Sequence, residues 1–71
     1  MYAIITKWED EPHFNLLWKF PDHKSAEKHL LIIKQDSGEL SRKVIASTKN
    51  GLLYEIPKIK LKKEFRIIKL K

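Results

Sequence analysis

Between Tyr54 and Ile67 the apolar side chains fall on alternate residues, and at Pro57 the alternation changes parity. Tyr54 and Ile56 are even, whereas Ile59, Leu61, Phe65 and Ile67 are odd. Period two is the mark of a strand with one face buried. Carried through Pro57 unchanged, it would put Lys58, Lys60 and Lys62 into the core, where unpaired ammonium groups are costly. The chain must therefore bulge or turn a corner at Pro57, a residue that cannot donate to a β-ladder. Lys63 falls on the apolar side of the last segment, so a second bend is expected near Lys62-Lys63.

Upstream, Arg42–Lys49 and Leu52–Ile56 flank Asn50-Gly51, the dipeptide favoured in two-residue hairpin turns because both positions need positive φ. A turn at Asn50-Gly51 pairs Ser47 with Tyr54, Ile45 with Ile56, and Lys43 with Lys58.

At the other end, Tyr2–Trp8 is rich in β-branched and aromatic residues and reads as a strand. After the break Glu9-Asp10-Glu11-Pro12, residues His13–Phe20 alternate, with Phe14, Leu16, Trp18 and Phe20 on one face. The short link makes these two strands an antiparallel hairpin. Asp22 is placed to cap a helix over Lys24–Gln35. Its apolar stripe is Ala26, Leu30 and Ile33, widened by Leu31 and Ile32, and Asp36-Ser37-Gly38 is its stop. The expected fold class is α+β: a small single domain over residues 1–71, with one helix packed on an antiparallel sheet in the order β-β-α-β-β-β. The first three elements resemble the strand-strand-helix opening of many short phage and bacterial proteins, a likeness of pattern that names no family.

The charge is as uneven as the pattern. Ser41–Lys71 holds ten Lys or Arg against two acids, a balance of +8, whereas Met1–Leu40 is at −2. Such a split says nothing about fold and points to a polyanionic partner. The even-numbered cations Lys58, Lys60, Lys62 and Arg66 would stand in a row roughly 6.6–6.8 Å apart on a strand, close to the phosphate interval of an extended single strand. Arg42 and Lys43 lie on the partner strand. These six residues are the expected nucleic-acid-binding set, in a non-enzymatic protein that binds DNA or RNA through phosphate contacts. Lysines on an outer strand face also serve solubility and discourage edge pairing, with no ligand involved. The alternative function is a protein-interaction module, such as a phage-encoded inhibitor or accessory subunit. It would bind an acidic protein or nucleoprotein complex through a sheet edge, with Leu17, Ile68 and Leu70 as candidate apolar surface. A homodimer through the last strand (Ile67, Ile68, Leu70) is compatible with both.

Aromatic side chains add little to this. Phe14, Trp18 and Phe20 are expected in the core, and Trp8 and Tyr54 at the surface. No ribonucleoprotein-type aromatic motif, GxxG loop or helix-turn-helix pattern is present. Catalytic, cofactor and metal sites are not expected either. His23 and His29 stand about 240° apart on a helix and cannot share a metal through it. His13 and His23 are expected in solvent, and His29 beside the apolar stripe. Glu9-Asp10-Glu11 lacks the spacing of a calcium loop and reads as a solvated turn. Ser47 and Thr48 have no neighbouring base. There is no cysteine, the longest wholly apolar run is Leu30–Ile33, and the start MYAIITKWEDEPHF lacks the basic and apolar regions of a signal peptide. A cytoplasmic protein with no membrane contact is expected.

Overall fold

The structure, a computed structural model, describes residues 1–35 and 42–70. The proposed helix stop at residues 36–38 and the cation Lys71 lie outside the described residues. Six elements follow in the expected order: β1 (Tyr2–Trp8), β2 (Asn15–Phe20), α1 (His23–Gln35), β3 (Lys43–Thr48), β4 (Gly51–Ile56) and β5 (Leu61–Lys69). They form one five-stranded antiparallel sheet, in spatial order β2-β1-β5-β4-β3, with α1 on one face. An N-terminal hairpin and a C-terminal three-strand meander are thus sealed together by β1 against β5.

β5 is the spine. It keeps a single register with β1, from Tyr2↔Lys69 to Trp8↔Lys63, and another with β4, from Gly51↔Arg66 to Ile56↔Leu61. The bend expected near Lys62-Lys63 does not occur. Lys63 faces the helix side as its parity requires, and its Nζ lies 4.8 Å from the centroid of the Trp8 ring and 5.4 Å from that of Phe65. An aliphatic stem laid along apolar surface, with its charge against aromatic faces, removes the need to bend the strand. Both edges of β5 are paired from Lys63 to Arg66, whereas the pairing with β4 ends at Gly51↔Arg66, before Ile68 and Leu70.

The parity switch at Pro57 is real and takes the form of a four-residue turn, Pro57–Lys60, between Ile56 and Leu61. Even residues of β4 (Leu52, Tyr54, Ile56) and odd residues of β5 (Phe65, Ile67) all face the helix, joined by Ile4 of β1 and by Ala26, Leu30 and Ile33 of α1. Tyr54 is therefore core, 4% exposed, and not the surface aromatic its position near the turn suggested. Trp8 also packs against the core. Ile59, expected with the odd apolar set, stands outside the strand and is 46% exposed.

The β3–β4 hairpin turns at Lys49-Asn50, two positions off the expected register: Thr48 faces Gly51, Ser47 faces Leu52 and Ala46 faces Leu53. Long-range contacts decide this. Gly51 is drawn into β4 opposite Arg66, and a Cβ there would meet the Phe65 carbonyl oxygen at 3.2 Å. Asn50 is held by its own carbonyl, which accepts from Ile67 N, and by its Oδ1, 2.6 Å from His23 Nε2. His23 is thus tied in rather than solvated, its Nδ1 lying 2.6 Å from Glu27 Oε1 and its ring against Tyr2. His29 sits against Phe20, beside the stripe as expected. Farther along β3, Ile45 is an extra residue between Val44↔Tyr54 and Ala46↔Leu53, and it is exposed where it was expected in the core.

β2 carries the matching irregularity. Ile4 pairs with Trp18 but Ile5 pairs with Leu16, leaving Leu17 extra. The bulge splits the alternation: Trp18 and Phe20 turn to the helix side, while Leu16 turns to the other. Trp18 stands beyond the reach of the helix and is 66% exposed, so it does not belong to the core. Leu31 and Ile32 are likewise exposed and do not widen the buried stripe. Both edge strands are therefore bulged, a device that twists an edge away from further pairing.

The helix begins as expected. Ser25 N donates to Asp22 Oδ1 at 2.7 Å, an N-cap bond. That bond, joined by one from the Ser25 hydroxyl, holds the Asp22 carboxyl below its ordinary pKa. A carboxyl whose pKa is depressed on folding stabilises above its unfolded value and loses that contribution as pH falls through the folded one. Asp22→Ala is expected to lower the melting temperature by roughly 5 °C at pH 7. The gap from wild type should close below about pH 4, read by circular dichroism melts across pH. In the β1–β2 turn, Glu11 is a structural residue: its carboxylate accepts from Trp8 N at 2.8 Å and from Asn15 Nδ2 at 2.9 Å. The Trp8 bond is the main reason its pKa is lowered.

Candidate nucleic-acid interface

The face of the sheet away from α1 is open. Strand alternation and register assign it Lys19 and Leu16 of β2, Ala3, Ile5 and Lys7 of β1, Lys62, Glu64, Arg66 and Ile68 of β5, Leu53 and Glu55 of β4, and Lys43 and Ala46 of β3. Phe14 lies over this face, its ring 4.9 Å from the Arg66 guanidinium carbon and 5.6 Å from Lys7 Nζ. Ala3 is fully buried on this side, beneath its neighbours Lys19 and Ile68.

The six expected binding residues divide into three groups. Lys43 and Lys62 share the open face in one row, Lys43↔Glu55↔Lys62, with a carboxylate between them. Arg66 is on the same face but is committed, its Nε donating to Glu64 Oε2 at 2.6 Å. Lys58 and Lys60 are not on a strand at all; they are exposed in the Pro57–Lys60 turn, at the end of the sheet where Lys62 enters β5. Arg42 departs from the set. It sits on the helix side, its Nη1 donating to the Ile33 carbonyl at 2.9 Å and its guanidinium 4.9 Å from the Tyr54 ring centroid. The expected straight row of four even-numbered cations is thus replaced by a corner: Lys58 and Lys60 on the turn, Lys62 just inside it, and Lys43 two strands across. Lys43 does not face Lys58, so the like-charge pair read from the Asn-Gly register does not exist.

The turn has a definite shape. Ile59 N and Lys60 N both donate to the Ile56 carbonyl, at 3.2 and 2.9 Å. Lys60 has φ +56°, the only positive φ among the described non-glycine residues. Left-handed backbone costs an L-residue roughly 1–2 kcal/mol. Lys60→Gly is therefore expected to raise the melting temperature by a few degrees, part of the gain being offset by glycine's greater unfolded-state entropy. A calorimetric melt reads this directly.

Sequence reasoning missed Lys7, Lys19 and Phe14 as neighbours of this face, because pairings across the sheet bring them there and no local pattern records those. Acidic groups adjoin the corner as well: Glu9 N donates to the Lys62 carbonyl, which brings the Glu9–Glu11 turn beside the start of β5. Among the described residues, no group of three His, Asp or Glu converges as a metal site would require, and no helix is long and apolar enough to cross a membrane. Compared with protein-family models, curated proteins and solved structures, the chain matches none.

Proposed function

We propose that the protein binds nucleic acid without catalysing a reaction, holding phosphates at the corner built from Lys43, Lys58, Lys60 and Lys62. One observation carries the reading: Lys58 and Lys60 in a tight turn and Lys62 at the start of β5 are exposed within five consecutive residues, and Lys43 lies two strands across from Lys62. Two antiparallel pairings, each about 5 Å, separate Lys43 from Lys62, so the cations span little more than one or two phosphate intervals. Clustered lysines displace condensed counterions, and this gives affinity that is salt-dependent and largely indifferent to sequence. Arg66, neutralised by Glu64, contributes least, and Arg42 belongs to the packing between helix and sheet.

Binding through a sheet edge is the weaker reading, because both edges carry a bulge at mid-strand. Fluorescence anisotropy with a labelled 20-nucleotide single strand and the matching duplex, from 50 to 200 mM NaCl, tests the proposal. Four phosphate contacts predict an affinity loss of about 150-fold on the duplex over that range. Arg66→Ala should change the slope by less than Lys60→Ala does. No binding at 50 mM NaCl would remove the reading.

A further inference from the structure

The tip of this corner is not only basic. Pro57-Lys58-Ile59-Lys60 is exposed throughout, and Ile59 at its centre leaves 46% of its surface in water between two lysines. Hydrophobic burial favours putting this side chain inside, and its odd parity matches Phe65 and Ile67, yet the turn carries it off the end of the sheet. The two bonds to the Ile56 carbonyl and the left-handed Lys60 fix the loop shape. Glycine would fill the Lys60 position at lower cost, and the chain has a cation there instead. A rigid loop thus presents one branched aliphatic group flanked on each side by a positive charge.

We infer that Ile59 is a wedge that enters a base step of duplex DNA from the minor groove, with Lys58 and Lys60 on the phosphates beside it. This deepens the proposed function and rests on it. Aliphatic side chains offer no flat face on which an unpaired base could stack, so the tip is ill-suited to a single strand. In a duplex, an inserted apolar group partly unstacks one step and kinks the helix, and neighbouring cations hold the bent backbone. The minor groove of B-DNA is only about 6 Å wide and brings two phosphate rows close on either side of such a tip. The wide, shallow minor groove of duplex RNA does not. A membrane surface is the poorer match, because one isoleucine supplies far less apolar area than even a single, only marginally binding, acyl chain.

The test uses the intact protein and a duplex with 2-aminopurine at a central TA step, which unstacks readily. Wild type is expected to raise 2-aminopurine fluorescence and to shorten the end-to-end distance measured by energy transfer. Ile59→Ala should abolish both signals and weaken binding about tenfold, with the salt slope unchanged because no charge is lost. Its melting temperature should match wild type, since the residue is outside the core. If the protein binds duplex with the expected salt dependence, but Ile59→Ala matches wild type in affinity and fluorescence, the wedge is wrong while the phosphate-binding corner stands. Absence of binding to any nucleic acid overturns both. Ile59-dependent binding to phosphatidylserine vesicles without duplex binding also overturns both, in favour of a lipid surface.

Discussion

Replacing Lys58, Lys60 and Lys62 together by glutamate is expected to lower affinity for a 20-base-pair duplex at least a hundredfold at 50 mM NaCl. The residual binding should show a salt slope about three units shallower than wild type, since each lost phosphate contact removes close to one unit. The three side chains are exposed and make no contribution to the core, so the triple variant should remain folded, with far-ultraviolet circular dichroism like that of wild type. A matched control reverses Lys24, Lys28 and Lys34, three exposed lysines of α1. If the control weakens binding as much as the corner variant, affinity reflects overall charge and the corner has no special role.

The second large effect concerns Phe65. It is 3% exposed, at the middle of the central strand, between Thr6 of β1 and Leu52 of β4. Its ring packs 5.7 Å from that of Tyr54, and Lys63 lies over it from the solvent side. Truncating a buried phenylalanine to alanine costs about 3–5 kcal/mol. A domain this small has little more than that in reserve. Phe65→Ala is therefore expected to be largely unfolded at 25 °C, with collapsed amide dispersion in a proton–nitrogen correlation spectrum. A cooperatively folded variant that melts within a few degrees of wild type would mean that the core does not depend on this strand. Ile67→Ala, at a partly buried neighbour on the same face, should cost less and stay folded.

What could be read from the chain was whatever one element decides alone. The capping bond of Asp22, the helical stripe Ala26-Leu30-Ile33 and the change of parity at Pro57 each follow from residues within a turn or two of each other, and each is present. What escaped was settled between elements. The extra residues at Leu17 and Ile45 leave no periodic trace, yet they turn Leu16 to the open face and Ile45 off the core face. The Asn50-Gly51 turn preference was outweighed by Gly51 packing against β5 and by Asn50 reaching His23 and Ile67. The same holds for the site. Parity alone put Lys58 and Lys60 in line with Lys62, whereas a turn long enough to change parity had to consume the residues that carry them. The lysines could be listed from sequence, but their gathering at a corner depends on where the loop begins.

β5 is the final strand along the chain and the middle one in space, and its pairing with β1 joins Tyr2 to Lys69. Until β5 forms, the β1–β2 hairpin can lie only against α1, and the β3–β4 hairpin has no strand on its inner edge. Contacts of such sequence separation make folding slower than that of a helical bundle of equal size. The sheet is therefore completed only when β5 closes the gap between β1 and β4.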